Sequence, residues 1–94
     1  MKVKLLYLGL VRNSTGRSEE DIYLKEGSSL KDLLNELAKT YGEKFGRFIN
    51  AKEHLWDPTF IVAVNGKLIN LHNESPILLK DGDVISLMTL ISGG

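Results

Sequence analysis

Ser29-Leu30-Lys31-Asp32-Leu33-Leu34-Asn35-Glu36-Leu37-Ala38-Lys39-Thr40-Tyr41-Gly42 is the most informative run in this chain. Ser29 precedes Asp32 by three positions, the spacing at which a hydroxyl and an acidic side chain satisfy each other's free backbone amides at a helix start. Leu30, Leu33, Leu34 and Leu37, followed by Ala38 and Tyr41, recur at helical spacing and form one apolar face. Gly42 then suits the position just past a helix end. A helix with one such face needs a partner layer to cover it.

The flanking sequence supplies that layer. Upstream, Val3 to Val11 is aliphatic apart from Lys4, Tyr7 and Gly9, and runs into the polar stretch Arg12-Asn13-Ser14-Thr15-Gly16, which predicts a buried strand and a turn. Asp21 to Lys25 predicts a second strand close enough to pair with the first. Downstream, Phe45, Phe48 and Ile49 keep a helix-like spacing around Gly46 and predict a short second helix. Asn50 to Pro58 reads as a surface connection. Thr59 to Val64 is β-branched and apolar, Asn65-Gly66 is a strong hairpin signal, and Lys67 to Leu71 is expected to return as the partner strand. The Asp81-Gly82-Asp83 turn launches a last strand from Val84 to about Leu90. Because side chains alternate along a strand, Ile85 and Leu87 should face the core, with Ser86, Met88 and Leu90 on the other side. The expected architecture is α+β: a mixed sheet of about five strands, the leucine-faced helix packed on one side, and a short second helix.

Ninety-four residues suit a single domain over 1–94, with a flexible tail expected from about residue 89. A hydrophobic content of 43% with 26% charged residues is that of a globular chain and not of a disordered one. Twelve basic and twelve acidic side chains cancel, so no overall field draws the protein to nucleic acid or to an anionic membrane. The start of the chain lacks the long apolar segment of a signal peptide, and no apolar run approaches the roughly 20 residues of a membrane span. The chain has no cysteine, which removes disulfides, thiolate metal sites and thiol nucleophiles. A cytoplasmic location is the expectation.

Other residues that could carry chemistry are weaker. His54 and His72 stand 18 positions apart without an ordered set of ligands around them. Asp81 and Asp83 are too few for a calcium loop and are expected to shape their turn. The acidic run Glu19-Glu20-Asp21 reads as a solvated loop. Gly42, Gly46, Gly66 and Gly82 do not follow the spacing of a phosphate-binding loop. Trp56 is expected to hold down a loop more readily than to meet a partner.

The order hairpin, helix, hairpin, final strand, with Leu79-Lys80-Asp81-Gly82-Asp83-Val84-Ile85 shortly before Gly93-Gly94, resembles the ubiquitin-like β-grasp sulfur carriers of the molybdopterin synthase small-subunit (MoaD) family. The opening strand running into Val11-Arg12, with Gly16 following, resembles that family's start. Leu87-Met88-Thr89-Leu90-Ile91-Ser92 lacks the aromatic and proline residues often found there and is more similar to the ubiquitin-related modifier family, which serves tRNA thiolation and protein conjugation. The thiamine-pathway carriers share the Gly-Gly end but are shorter.

The resemblance implies a ubiquitin-like β-grasp fold and no catalysis by the chain alone. It implies that the Gly94 carboxylate is adenylated and then thiocarboxylated, with Gly93 beside it. The implied acceptor lies in molybdenum-cofactor assembly, with the modifier role as the alternative. The implied partners are a ubiquitin-activating-type adenylating enzyme, a larger synthase subunit that receives the tail, and a sulfur-source protein. ATP is used by the activating partner and no cofactor is bound by this chain. Glycines have no Cβ and pass closely through a narrow tunnel. Two adjacent glycines at a given place arise by chance about once in 200 chains, from an average glycine usage near 7%. Met88, Leu90, Ile91 and Ser92 are the residues expected to meet a partner, Met88 and Leu90 as an apolar patch beside the tail.

Overall fold

The computed structural model describes residues 1–50, 55–56, 59–71 and 75–89, with the backbone only at 49–50 and 55–56. In chain order the elements are β1 (Lys2–Tyr7), α1 (Leu10–Thr15), β2 (Glu19–Tyr23), α2 (Leu30–Tyr41), α3 (Glu43–Gly46), β3 (Ile49–Asn50), β4 (Leu55–Trp56), β5 (Phe60–Val64), β6 (Lys67–Leu68) and β7 (Val84–Thr89). The main sheet has five strands in the order β2-β1-β7-β5-β6, and β3 and β4 form a separate two-stranded ribbon. β1 and β7 lie parallel at the centre of the main sheet, while β2, β5 and β6 pair antiparallel. The expected mixed five-stranded sheet with one main helix is therefore present.

α2 starts as the sequence predicts. The Ser29 hydroxyl accepts from the Asp32 amide at 3.1 Å, and the Asp32 carboxylate accepts from the Ser29 amide at 2.9 Å. At the other end the Gly42 amide donates to the Ala38 carbonyl at 2.9 Å, with Gly42 at a positive φ of 67°. Leu30, Leu33, Leu34 and Leu37 are buried in one cluster with Val3, Leu5 and Tyr7 of β1 and with Ile85 and Leu87 of β7. Val3, Leu5, Ile85 and Leu87 have no solvent exposure. A second part of that core is aromatic: Phe48 stacks on Phe60 with centroids 5.7 Å apart, and Phe45 meets both rings edge-on.

Three sequence expectations are corrected in extent. The opening strand stops at Tyr7, not Val11, because Gly9 adopts φ 60° and ψ −136°, and the chain then coils into α1. The polar residues read as a turn build that helix: Ser14 Oγ donates to the Leu10 carbonyl at 3.0 Å, and the Gly16 amide closes it on the Arg12 carbonyl at 2.9 Å. α1 is thus a third helix, whose aliphatic Leu10 and Val11 imitate strand residues in a local reading. The second strand lies at Glu19–Tyr23 and not at Asp21 to Lys25, since its register runs from Leu6 opposite Glu19 to Lys2 opposite Tyr23. The return strand of the second hairpin is Lys67–Leu68, with one further bond from the Ile69 amide to the Val62 carbonyl, and does not reach Leu71.

The hairpin turn itself is as predicted. Asn65 and Gly66 both take positive φ, 52° and 82°, the combination whose twist matches two antiparallel strands. Asn65 also ties this turn to the next strand, its Oδ1 accepting from the Val84 amide and its Nδ2 donating to Asp83, both at 2.9 Å. Asp83 is buried and also accepts from the Lys80 amide at 2.8 Å, while Asp81 accepts from the Lys2 amide at 2.8 Å. Both aspartates therefore shape the turn into β7. The stretch read as a surface connection contains the two-residue pairing of β3 and β4, with Ile49 opposite Trp56. Two residues per strand are too few to leave a pattern in sequence.

Candidate functional site

β7 carries the segment that the sequence singles out. It is the central strand, bonded to β1 on one side and to β5 on the other. Its register is continuous to its last residue, with Phe60 opposite Thr89 and Ile61 opposite Met88. Leu90, Ile91, Ser92, Gly93 and Gly94, five of the six candidate site residues, lie outside the described residues, as do His54 and His72. Met88, the sixth, is half-buried on β7.

Period-two alternation places the two faces of this strand in different environments. Ile85 and Leu87 are buried in the core, as expected, and Ser86 and Met88 fall on the opposite face. Cross-strand register then assembles that outer face. One row runs Glu19, Leu6, Ser86, Ala63, Leu68, and the next toward the strand end holds Met88 and Ile61. Leu68 is 69% exposed, and Leu8, just past β1, is 46% exposed. The opposite part of the same face is ionic, with Lys4 3.8 Å from Glu19 and Lys2 3.7 Å from Asp21. Such exposed pairs contribute at most about 1 kcal/mol each, so they define polarity more than stability. The outer sheet face is therefore divided, and its apolar part adjoins the end of β7.

Leu6, Leu8, Ile61 and Leu68 were absent from the sequence-derived site. The signal was the alternation within each strand. Joining these residues into one surface requires the strand order, which no local pattern contains.

The root of the tail is held from the other side as well. The Leu8 amide donates to the Leu87 carbonyl at 3.0 Å, extending the parallel pairing past Tyr7. The Leu10 amide donates to Thr89 Oγ1 at 3.4 Å. α1 has no side-chain cap from its own preceding residue, Gly9, so Thr89 supplies that acceptor from another strand.

The strongest electrostatic feature lies on the core side, near the same end of β1. Glu20 accepts from Tyr7 Oη at 2.8 Å and from Tyr41 Oη, and Arg17 stands 4.0 Å away. The Glu20 side chain is only 12% exposed. This corrects the expectation that the run Glu19-Glu20-Asp21 is a solvated loop: it lies on β2, whose alternation turns Glu20 and Ile22 inward. Burial, then the hydrogen bond and negative charge of Glu20, push the Tyr7 phenol far above its ordinary value, and Tyr41 is raised for the same reasons. Both phenols stay protonated donors, and the group ties β1, β2 and α2 together. Among the described residues no group of three or more His, Cys, Asp or Glu side chains gathers that could hold a metal. No helix among them is long and apolar enough to cross a membrane.

The model of the ThiS family matches residues 5–94. A comparison with curated proteins finds no match. Among solved structures, a candidate molybdopterin converting factor subunit 1 from Pyrococcus furiosus is 30% identical, with 97% of this chain and 99% of that chain covered and a TM-score of 0.74. A chain of the protein–protein complex of subunits 1 and 2 of molybdopterin-converting factor from Helicobacter pylori gives 27% identity, full coverage of both chains and a TM-score of 0.61. The small archaeal modifier protein 1 from Methanosarcina acetivorans is 22% identical, over 99% of this chain and 96% of that chain, with a TM-score of 0.76, a likeness of fold. The resemblance read from sequence is thereby borne out, and a family match over nearly the whole length, on a sheet with parallel β1 and β7 at its centre, makes this chain a member of the ThiS family with the ubiquitin-like, MoaD-type β-grasp fold.

Proposed function

We propose that this protein carries sulfur as a thiocarboxylate on Gly94 and delivers it to a larger synthase subunit in molybdopterin assembly. The observation that supports this best is the placement of β7: the central strand ends at Thr89, five positions before Gly94, beside the apolar part of the outer sheet face. Five extended residues reach about 17 Å, enough to enter a recessed active site. In this reading the chain performs no chemistry alone. A ubiquitin-activating-type enzyme transfers adenylate from ATP to the Gly94 carboxylate and releases pyrophosphate. A sulfide-level nucleophile from a sulfur-source protein then displaces AMP and leaves the thiocarboxylate. On delivery its sulfur attacks the acceptor carbon and displaces an oxygen leaving group there; water then cleaves the resulting thioester, leaving the sulfur on the acceptor and a carboxylate on Gly94.

Met88, Leu6, Leu8, Ile61 and Leu68 are the surface on which the synthase subunit docks, with Leu90, Ile91 and Ser92 following it into the active site. The Helicobacter pylori relative, itself solved in a complex of subunits 1 and 2, favours this occupant. The molybdopterin acceptor is favoured by the 30% identity to the Pyrococcus furiosus protein over the whole chain. A second reading follows from the same acyl-adenylate: a lysine amine of another protein displaces AMP, and the chain becomes a modifier joined through Gly94. The Thr89-Leu90 ending and the fold shared with the archaeal modifier protein favour it.

Intact-protein mass spectrometry of the chain from its own cells separates the two. Exchange of one oxygen for sulfur, abolished by deletion of Gly94, supports the carrier. A terminus that is wholly carboxylate, with abundant lysine adducts through Gly94, replaces it with the modifier.

A further inference from the structure

We infer that the turn between β1 and α1 is a clamp on the root of the tail, in which Gly9 and Leu10 hold Thr89 and so set where the five remaining residues begin. The inference rests on the carrier reading for its purpose, though not for its geometry. Thr89 is engaged from two sides. Toward β5 it lies in register opposite Phe60, which is 5% exposed and stacked in the aromatic part of the core. Toward α1 its hydroxyl accepts from the Leu10 amide at 3.4 Å, serving as the helix cap that Gly9 cannot provide.

Gly9 makes this approach possible in two ways. Its φ of 60° with ψ of −136° belongs to a region essentially confined to glycine. A Cβ placed on it would also stand 3.1 Å from Thr89 Oγ1, a tight contact, and 3.5 Å from the Thr89 carbonyl oxygen, at ordinary van der Waals distance. Of the glycines with described surroundings, Gly9 is the one whose added Cβ meets another part of the chain within 4 Å. Gly9 and Thr89 are therefore positioning residues. They touch no reacting atom. They hold the Thr89 end of β7 in place, so that a partner meets the residues beyond it from a fixed starting point. Freeing one more residue adds the conformational freedom of that residue to what the partner must order, worth about tenfold in apparent affinity.

The test uses the full chain and three variants, Thr89→Val, Thr89→Ser and Gly9→Ala. The direct measurement is nitrogen-15 relaxation of the Thr89 and Leu90 amides, with hydrogen exchange at the Leu10 amide. The functional measurement is ATP–pyrophosphate exchange by the activating enzyme of the same cells, with the carrier as varied substrate. Thr89→Val and Gly9→Ala are expected to loosen both tail-root amides and to raise KM about tenfold with kcat little changed, and Thr89→Ser, which keeps the hydroxyl, to restore both. Equal order at Thr89 and Leu90 in wild type and Thr89→Val overturns the clamp, as does an unchanged KM in a variant whose Leu10 amide has lost protection. If the wild-type chain supports no pyrophosphate exchange, the carrier reading fails while the relaxation data still decide the clamp.

Discussion

Raising the pH above the ordinary tyrosine range should destabilise this protein through Tyr7. In the unfolded chain the phenol titrates at its ordinary value of 10.0, whereas in the fold it is held protonated by burial and by donation to Glu20. Above pH 10 the unfolded state thus binds fewer protons than the native one, and stability must fall as pH rises. Below pH 10 both states are protonated and the contribution is fully present. For a tyrosine that stays protonated in the fold the limiting slope is about 1.4 kcal/mol per pH unit, which reaches a loss of about 2 kcal/mol at about pH 11.5. Tyr41 is shifted in the same direction and adds to the slope until its own raised pKa is passed. With a urea dependence of about 1 to 3 kcal/mol per molar for a small domain, the midpoint should fall by on the order of 1 M over that interval. The assay is urea denaturation followed by circular dichroism at a series of pH values, with tyrosinate absorbance recorded in parallel. Tyr7→Phe should cost about 1 to 3 kcal/mol at neutral pH, because it removes a donor from a carboxylate that is only 12% exposed, yet lose less stability on raising the pH. Wild-type and Tyr7→Phe curves that fall in parallel above pH 10, or a wild-type curve that stays flat, would refute the reasoning.

Leu37→Ala, at a fully packed position of α2, should destabilise the domain by about 2 to 5 kcal/mol in the same denaturation assay. Ser29→Ala removes one half of the capping box and should cost about 1 kcal/mol without altering the unfolding cooperativity. Asp83→Ala strips acceptors from the Lys80 amide and the Asn65 side chain at a buried site, for a loss of about 2 to 3 kcal/mol, with the β5–β6 turn and the start of β7 losing hydrogen-exchange protection first. Leu68→Asp, on an exposed outer-face residue, should change stability by no more than about 0.5 kcal/mol, and should weaken pull-down of the synthase subunit while leaving adenylation of Gly94 intact.

The sequence by itself determined whatever depends on neighbours close along the chain. The capping box, the leucine face of α2, the Asn65-Gly66 turn and the inward Ile85 and Leu87 all follow from spacings of a few residues, and each is present. The Gly93-Gly94 pair and its implied chemistry also came from sequence, through the likeness to a family that the whole-chain match bears out. Tertiary structure decided what depends on contacts between distant residues. Leu10 and Val11 are helical and not extended because Gly9 turns the chain against Thr89, 80 positions later in sequence. Glu20 is a buried acceptor and not a solvated charge because β2 pairs with β1 in one register, bringing Tyr41 of α2 to the same carboxylate. The apolar outer face exists only once β1, β5 and β6 are joined to β7 in one sheet, for side chains from four strands form one surface through backbone pairing that no single stretch of sequence specifies.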